Sequence, residues 1–122
     1  MNRLFVLAAA TLALALSACG GASPEQQCKD AAAAACNKLY TCYTGAELDA
    51  IKMVYGATEA DCNTYLTNAQ SCSTKTSTSN ACESGKTYDS AAASQCISDF
   101  KALACDALKA GMTPSSCNNV CK

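Results

Sequence analysis

Eleven cysteines in a chain of 122 residues constrain this sequence more than any other feature. Leu, Ile, Val and Phe together supply only ten of residues 19–122, so there is little large aliphatic side chain from which to build a core. Chains so poor in apolar surface stay disordered or need covalent staples, because burial has to exceed the conformational entropy lost on folding. Five disulfides, at about 2–4 kcal/mol each, offset that deficit. The cysteines therefore read as scaffold, which implies an exported, oxidising environment. An odd count leaves one over. Cys28, Cys36, Cys42, Cys62, Cys72, Cys82, Cys96, Cys105, Cys117 and Cys121 can all pair with one another, whereas Cys19 sits apart at the end of an apolar N-terminal run.

That run begins with Met1-Asn2-Arg3 and continues from Leu4 to Ala18 without a charge. About fifteen apolar residues are too few for a membrane-spanning helix, which needs about 20, and the run ends in small residues instead of basic flanks. A positively charged start, an apolar stretch and a small-residue exit describe an export signal. Leu16-Ser17-Ala18-Cys19 resembles the lipobox of bacterial lipoproteins, with Leu three residues before the cysteine and small residues between. The resemblance implies that the Cys19 thiol takes a diacylglyceryl group as a thioether, that cleavage precedes Cys19, and that its new amine can be acylated in turn. Two or three acyl chains, at about 0.8 kcal/mol per buried CH₂, would hold the protein to a membrane almost permanently. Gly20 follows in place of the Asp that, in enteric bacteria, resembles an inner-membrane retention signal, so the expected location is the outer membrane. The chain then divides into a lipoprotein signal peptide over 1–18, a lipidated tether over 19–24 and a cysteine-rich helical domain over 25–122. The tether's extended reach is roughly 15 Å.

Within the domain the signals are helical, and no sustained alternation marks a strand. Ser23-Pro24-Glu25 combines an N-cap, a Pro at the first helical position and an acid in the first turn, opening a helix that runs to about Tyr43. At 100° per residue Cys28, Cys36 and Cys42 fall at about 0°, 80° and 320°, a shared face with Leu39 nearby that is expected to be buried. A second helix is expected over Ala46 to Tyr55, stopped by Gly56, with Leu48, Ile51 and Val54 or Tyr55 inward. Thr58-Glu59-Ala60-Asp61 resembles a capping box with Asp replacing Glu, and starts a third helix carrying Cys62, Tyr65, Leu66, Ala69 and Cys72. Residues 73–80, STKTSTSN, read as a solvated loop and the most mobile segment. A fourth helix is expected from Asp89 or Ser90 to Ala110, with Cys96, Phe100, Leu103 and Ala107 in one stripe and Gly111 as its stop. Thr113-Pro114 opens a short terminal turn holding Cys117 and Cys121. The fold class is all-α, a small disulfide-stapled bundle of four to five short helices. Half-cystines eight to ten residues apart on one helix are about 12–15 Å apart, too far to bond, so the bridges must cross between elements. Among about 945 pairings of ten cysteines, a hairpin bond between Cys105 and Cys117 about Gly111 is the one singled out.

Composition removes several functions. From residue 19 onward, eight lysines and no arginine stand against ten acidic residues, a net charge of −2 (8 − 10), so no basic patch for nucleic acid is present. The chain has no His, which removes the commonest general base and every Ser-His or Cys-His pair. Zinc sites favour close Cys pairs with His, and only Cys117 and Cys121 lie within that spacing, so no metal ligand and no cofactor is assigned. Glu83 to Thr87, ESGKT, mimics the end of a phosphate-binding loop but lacks the first Gly, which is Asn80. Glu47 with Asp49 and Glu59 with Asp61 are two apart and face different ways on a helix, which fits solvated first-turn acids. Tyr40, Tyr43, Tyr55, Tyr65 and Tyr88 are expected to bury their rings and expose their hydroxyls.

Tyr55 to Cys62 (YGATEADC), Cys72, Gln95 to Cys105 (QCISDFKALAC) and Thr113 to Cys117 (TPSSC) together resemble the small cysteine-rich lipoproteins of myxobacteria and related deltaproteobacteria. The resemblance implies an envelope location and a stapled domain, and nothing catalytic. The expected function is a lipid-anchored envelope protein with a structural or macromolecular-interaction role, its partners a membrane and another envelope macromolecule. The alternative is a small extracytoplasmic module binding a metal, glycan or peptide. An exposed apolar or aromatic patch would favour the first, a deep polar pocket the second.

Overall fold

A computed structural model describes residues 22–122. The 1–18 segment, Cys19 and the start of the 19–24 tether lie outside the described residues. Five α-helices follow: α1 (Pro24–Cys42), α2 (Gly45–Tyr55), α3 (Glu59–Ala69), α4 (Ser90–Ala102) and α5 (Cys105–Lys109), with short 3₁₀ turns at Cys72–Thr74 and Ser115–Asn119. The fold is the all-α, disulfide-stapled bundle that the sequence implies. Among the described residues the only strand-like pairing is a single antiparallel bridge between Tyr88 and Cys121.

Local chemistry sets most of these boundaries. The Ser23 hydroxyl accepts the Gln26 N–H ahead of Pro24, so α1 starts where cap and proline coincide. At α3 both halves of the capping box form: Thr58 Oγ1 accepts from the Asp61 N–H, and the Asp61 carboxylate accepts from the Thr58 N–H at 3.0 Å. Gly56 joins α2 to that box at φ +112°, where a Cβ would lie 2.3 Å from the Asp61 Cβ, so both conformation and space exclude a side chain. At Gly111 the Met112 N–H reaches the Ala107 carbonyl and the Gly111 N–H reaches that of Leu108, the doubly bonded C-terminal cap that glycine permits.

Helix α1 lies at the centre. The α3 segment runs antiparallel to it, with Cys62 bonded to Cys36 and Cys72 bonded to Cys28. Helix α4 runs parallel to it, since Gln27 contacts Ser90 and Ser94 at one end and Lys38 Nζ donates to the Leu103 carbonyl at 2.6 Å at the other. Helix α2 packs at the C-terminal end of α1, where the Tyr40 hydroxyl donates to the Gly56 carbonyl. The last residues return along α4 through Cys96–Cys117 and finish beside the start of α1, where Thr87 and Lys122 exchange backbone hydrogen bonds and Cys82 bonds to Cys121.

The core is made of cystine and alanine. Its buried members are Ala32, Ala34, Cys36, Cys42, Cys62, Cys72, Ala81 and Ala93, with Pro24 and the polar Gln27, and none of the ten large aliphatic and phenyl side chains is among them. The expected face of α1 is buried at Cys36 and Cys42 and half-buried at Cys28 and Leu39. On α2, Tyr55 turns inward with Leu48 and Ile51 while Val54 faces solvent.

Two expectations are corrected. The fourth helix is not continuous to Ala110: Leu103 and Ala104 are extended (ψ 131° and 148°) and α5 starts afresh at Cys105. Lys38 takes the Leu103 carbonyl at this break, and Cys105 bonds to Cys42 at the end of α1, so tertiary contacts interrupt a sequence with no local breaker. The hairpin bond from Cys105 to Cys117 is absent for the same reason, and Cys117 pairs instead with Cys96. The 73–80 segment is the solvated loop expected, exposed at all but Lys75, and Asn80 closes it: its amide donates to the Thr74 carbonyl at 2.8 Å and accepts from the Ser77 N–H at 3.0 Å.

The covalent scaffold should be indispensable. A reductant is expected to collapse the far-UV helical signal under conditions where the oxidised protein is folded, and a non-reducing peptide map should recover Cys28–Cys72, Cys36–Cys62, Cys42–Cys105, Cys82–Cys121 and Cys96–Cys117. A folded reduced protein would contradict the cystine core.

Candidate functional site

All ten cysteines of the described domain are joined in pairs, with Cα separations of 4.6–5.8 Å that suit disulfides. As disulfides they offer neither a thiolate nucleophile nor a metal ligand. Among the described residues no three His, Cys, Asp or Glu side chains gather in the manner of a metal site. The acidic pairs are placed apart: Asp61 serves the α3 cap, Glu47 meets Lys109 of α5 at 3.1 Å, and Asp49 points to solvent. In the ESGKT stretch the Lys86 N–H closes a turn onto the Glu83 carbonyl, with Gly85 at φ +86°.

What remains is two surfaces. The first is the outer side of α2. Ala46, Ala50, Met53 and Val54 fall at i, i+4, i+7 and i+8, one helix face, and all are exposed. Met53 is 88% exposed, and Tyr65 of α3, 48% exposed, meets Tyr55 edge to face at 5.4 Å between ring centres beside this helix. Tyr43 carries Lys109 Nζ over its ring at 5.1 Å, so α5 braces the start of α2. The expected arrangement of tyrosines is thus corrected. Tyr65 exposes its ring, while the Tyr40 and Tyr88 hydroxyls turn inward onto Gly56 and Gln27, because a core without large aliphatics leaves polar partners within reach. Burial, and for Tyr40 also the Asp61 carboxylate, holds both hydroxyls above the ordinary tyrosine pKa.

The second surface is a cleft of about 180 Å³ between α1, α4 and the closing C-terminal segment, whose wall includes Ala31, Ala93, Ile97 and Val120, with Gln27 and Tyr88 at its base. Gln27 is saturated there. Its amide donates to the Ser90 carbonyl at 2.9 Å and Ser94 Oγ at 2.8 Å, and its carbonyl oxygen accepts from the Tyr88 and Ser90 hydroxyls. No buried side-chain polar atom among the described residues lacks a partner. Beside the cleft, Asp89 caps α4 through the Ala92 N–H and meets Lys122 at 3.1 Å; the amide first, then the ammonium, holds its carboxyl below the usual aspartate pKa.

Neither surface was marked by a motif. The signal for the α2 face is present in the sequence, since Ala46, Ala50, Met53 and Val54 repeat at helical spacing, but the opposite face carries Leu48, Ile51 and Tyr55 and competes for the core. No family model matches the chain, and neither does any curated protein or solved structure.

Gln27→Leu should cost about 1 to 3 kcal/mol by leaving the Tyr88 hydroxyl and the Ser90 carbonyl without their partner, read as a lower urea midpoint of the oxidised protein. An unchanged midpoint would show that water replaces the amide at no cost.

Proposed function

We propose that the chain is a lipid-anchored protein of the cell envelope, acylated at Cys19, held in the outer membrane, and acting by contact with another envelope macromolecule. The observation that carries the reading is the cysteine balance. Leu16-Ser17-Ala18-Cys19 has lipobox character, and the other ten cysteines bond among themselves, leaving no cysteine of the chain to pair with Cys19. The outer-membrane assignment rests on Gly20 after the acylated residue. No helix among the described residues is long and apolar enough to cross a membrane, so attachment of the domain falls to the N-terminal lipid in this reading.

Geometry supports contact through α2. The tether enters α1 at Pro24, whereas α2 follows Cys42 at the other end of a helix of 19 residues, about 28 Å away at 1.5 Å per residue. An anchor at one end presents Met53, Val54 and Tyr65 at the other, away from the point of attachment. The surface is apolar and aromatic, the kind that forms the centre of protein contacts.

Cys19→Ala should abolish palmitate labelling and move the protein out of the detergent phase, while the five disulfides still form. Recovery of wild-type protein with a free, unacylated N-terminus would overturn the anchor. For the contact, a photocrosslinking side chain at Met53 should give a discrete adduct in intact envelopes and one at Ser84, in the turn beside the opposite end of α1, should not. Equal crosslinking at both positions would remove α2 as the contact face.

A further inference from the structure

The cleft beside Gln27 opens onto a second depression lined by Lys75, Ala81, Cys82, Glu83, Lys86 and Cys121, and the two share Lys75, Ala81 and Cys121. On its other side the cleft adjoins an apolar hollow of about 160 Å³ along the α1–α4 seam, bordered by Ala34, Ala35 and Phe100, with Ala31, Cys96 and Ile97 lining both. Hydrocarbon surface therefore continues along one side of the molecule and ends at two lysines.

We propose that this groove binds a single-chain anionic amphiphile, its acyl chain along the α1–α4 seam and its acidic head between Lys75 and Lys86. The wall is suited to hydrocarbon because most of it is Ala, Ile, Val and cystine and its one buried polar side chain, Gln27, is already used, while Gln70 is exposed. All four hydrogen-bonding positions of Gln27 are filled and the Tyr88 proton is committed to Gln27, so Gln27 offers no hydrogen bond to a sugar or a peptide backbone and Tyr88 offers only its oxygen as an acceptor. The head end has a cationic excess. Lys75 and Lys86 take part in none of the ion pairs among the described residues, and Glu83 is the one acid lining that depression, on a chain whose balance from residue 19 onward is acidic. Lys75 makes only a long 3.4 Å contact to the Ala81 carbonyl, which leaves its ammonium available. The open seam follows from the cystine and alanine core, since small residues at 31, 34, 35 and 93 leave Ile97, Phe100 and Val120 half-exposed with space between the helices. The proposal refines the ligand-binding alternative and does not depend on acylation of Cys19.

The test is photoaffinity labelling of the full chain in its producing cells. The probes are a diazirine-bearing fatty acid, the matching lysophosphatidate and the matching uncharged fatty alcohol, with adducts mapped by mass spectrometry in membrane and soluble fractions alike. At least one of the two anionic probes is expected to label α1 and α4 peptides around Ala31 and Ile97, and unlabelled ligand of the same class should compete; which one labels identifies the head as carboxylate or phosphate. The double variant Lys75→Gln, Lys86→Gln should lower labelling about fivefold with an unchanged disulfide map, two exposed charges each contributing modestly. Ala31→Leu, which fills the seam from a helical position, should lower it with the lysines intact. Labelling by the alcohol as strong as by the acids, labelling concentrated on Met53 and Val54, or no effect of the lysine variant would overturn the proposal.

Discussion

Three half-cystines on one helix hold the rest of the molecule in place. Cys28, Cys36 and Cys42 bond to the 3₁₀ turn after α3, to α3 itself and to α5, so these three elements are tied to α1 at different heights. The loops these bonds close span 44, 26 and 63 residues, for which the chain-entropy view assigns about 3 to 4.5 kcal/mol apiece, without simple additivity because the loops overlap. The two remaining bonds bring the C-terminal segment back to α4 and to the start of the bundle. A domain with no buried Leu, Ile, Val or Phe has no other source of comparable stabilisation.

Around that frame a polar knot does what a hydrophobic cluster does elsewhere. Gln27 is 3% exposed and joins the first turns of α1 to Tyr88 and to the start of α4. A buried amide is tolerated because every donor and acceptor is matched, and an unmatched one would cost more than the site could recover. The knot also explains the inward tyrosine hydroxyls. Where packing supplies mainly methyl groups and sulfur, a hydroxyl that finds a carbonyl is no worse than a methylene that finds a gap.

The same economy shapes the surface. Large apolar side chains that do not enter the core stay half-exposed along the α1–α4 seam or point outward from α2, and both surfaces proposed to bind partners are made from them. Scaffold and interaction faces are thus separated by residue type: cysteine and alanine inside, Ile97, Phe100, Met53 and Val54 at the boundary with solvent. Such a division lets the outer residues change without loss of the fold, because the frame does not rely on them.

Much of this could be read from the residues. Ser23-Pro24, the Thr58 to Asp61 box, Gly56 and Gly111 each carry their own conformational instruction within a few residues, so the starts of α1 and α3 and the turns after α2 and α5 were determined locally. Low aliphatic content with many cysteines determined that the fold would be small and stapled, and caps and helical spacing without strand alternation that it would be helical, with bonds between elements. The break at Leu103-Ala104 was not legible, because nothing there disfavours a helix: it is made by Lys38, 65 residues away, taking the Leu103 carbonyl and by Cys42 taking Cys105. Bond partners and the inward Gln27 were likewise decided only by tertiary structure, whereas the inner face of α2, Leu48 with Ile51 and Tyr55, was legible from its spacing. Caps and turns are short-range and written residue by residue, whereas a disulfide or a buried hydrogen bond depends on which elements lie side by side, and ten equivalent cysteines carry no label for that.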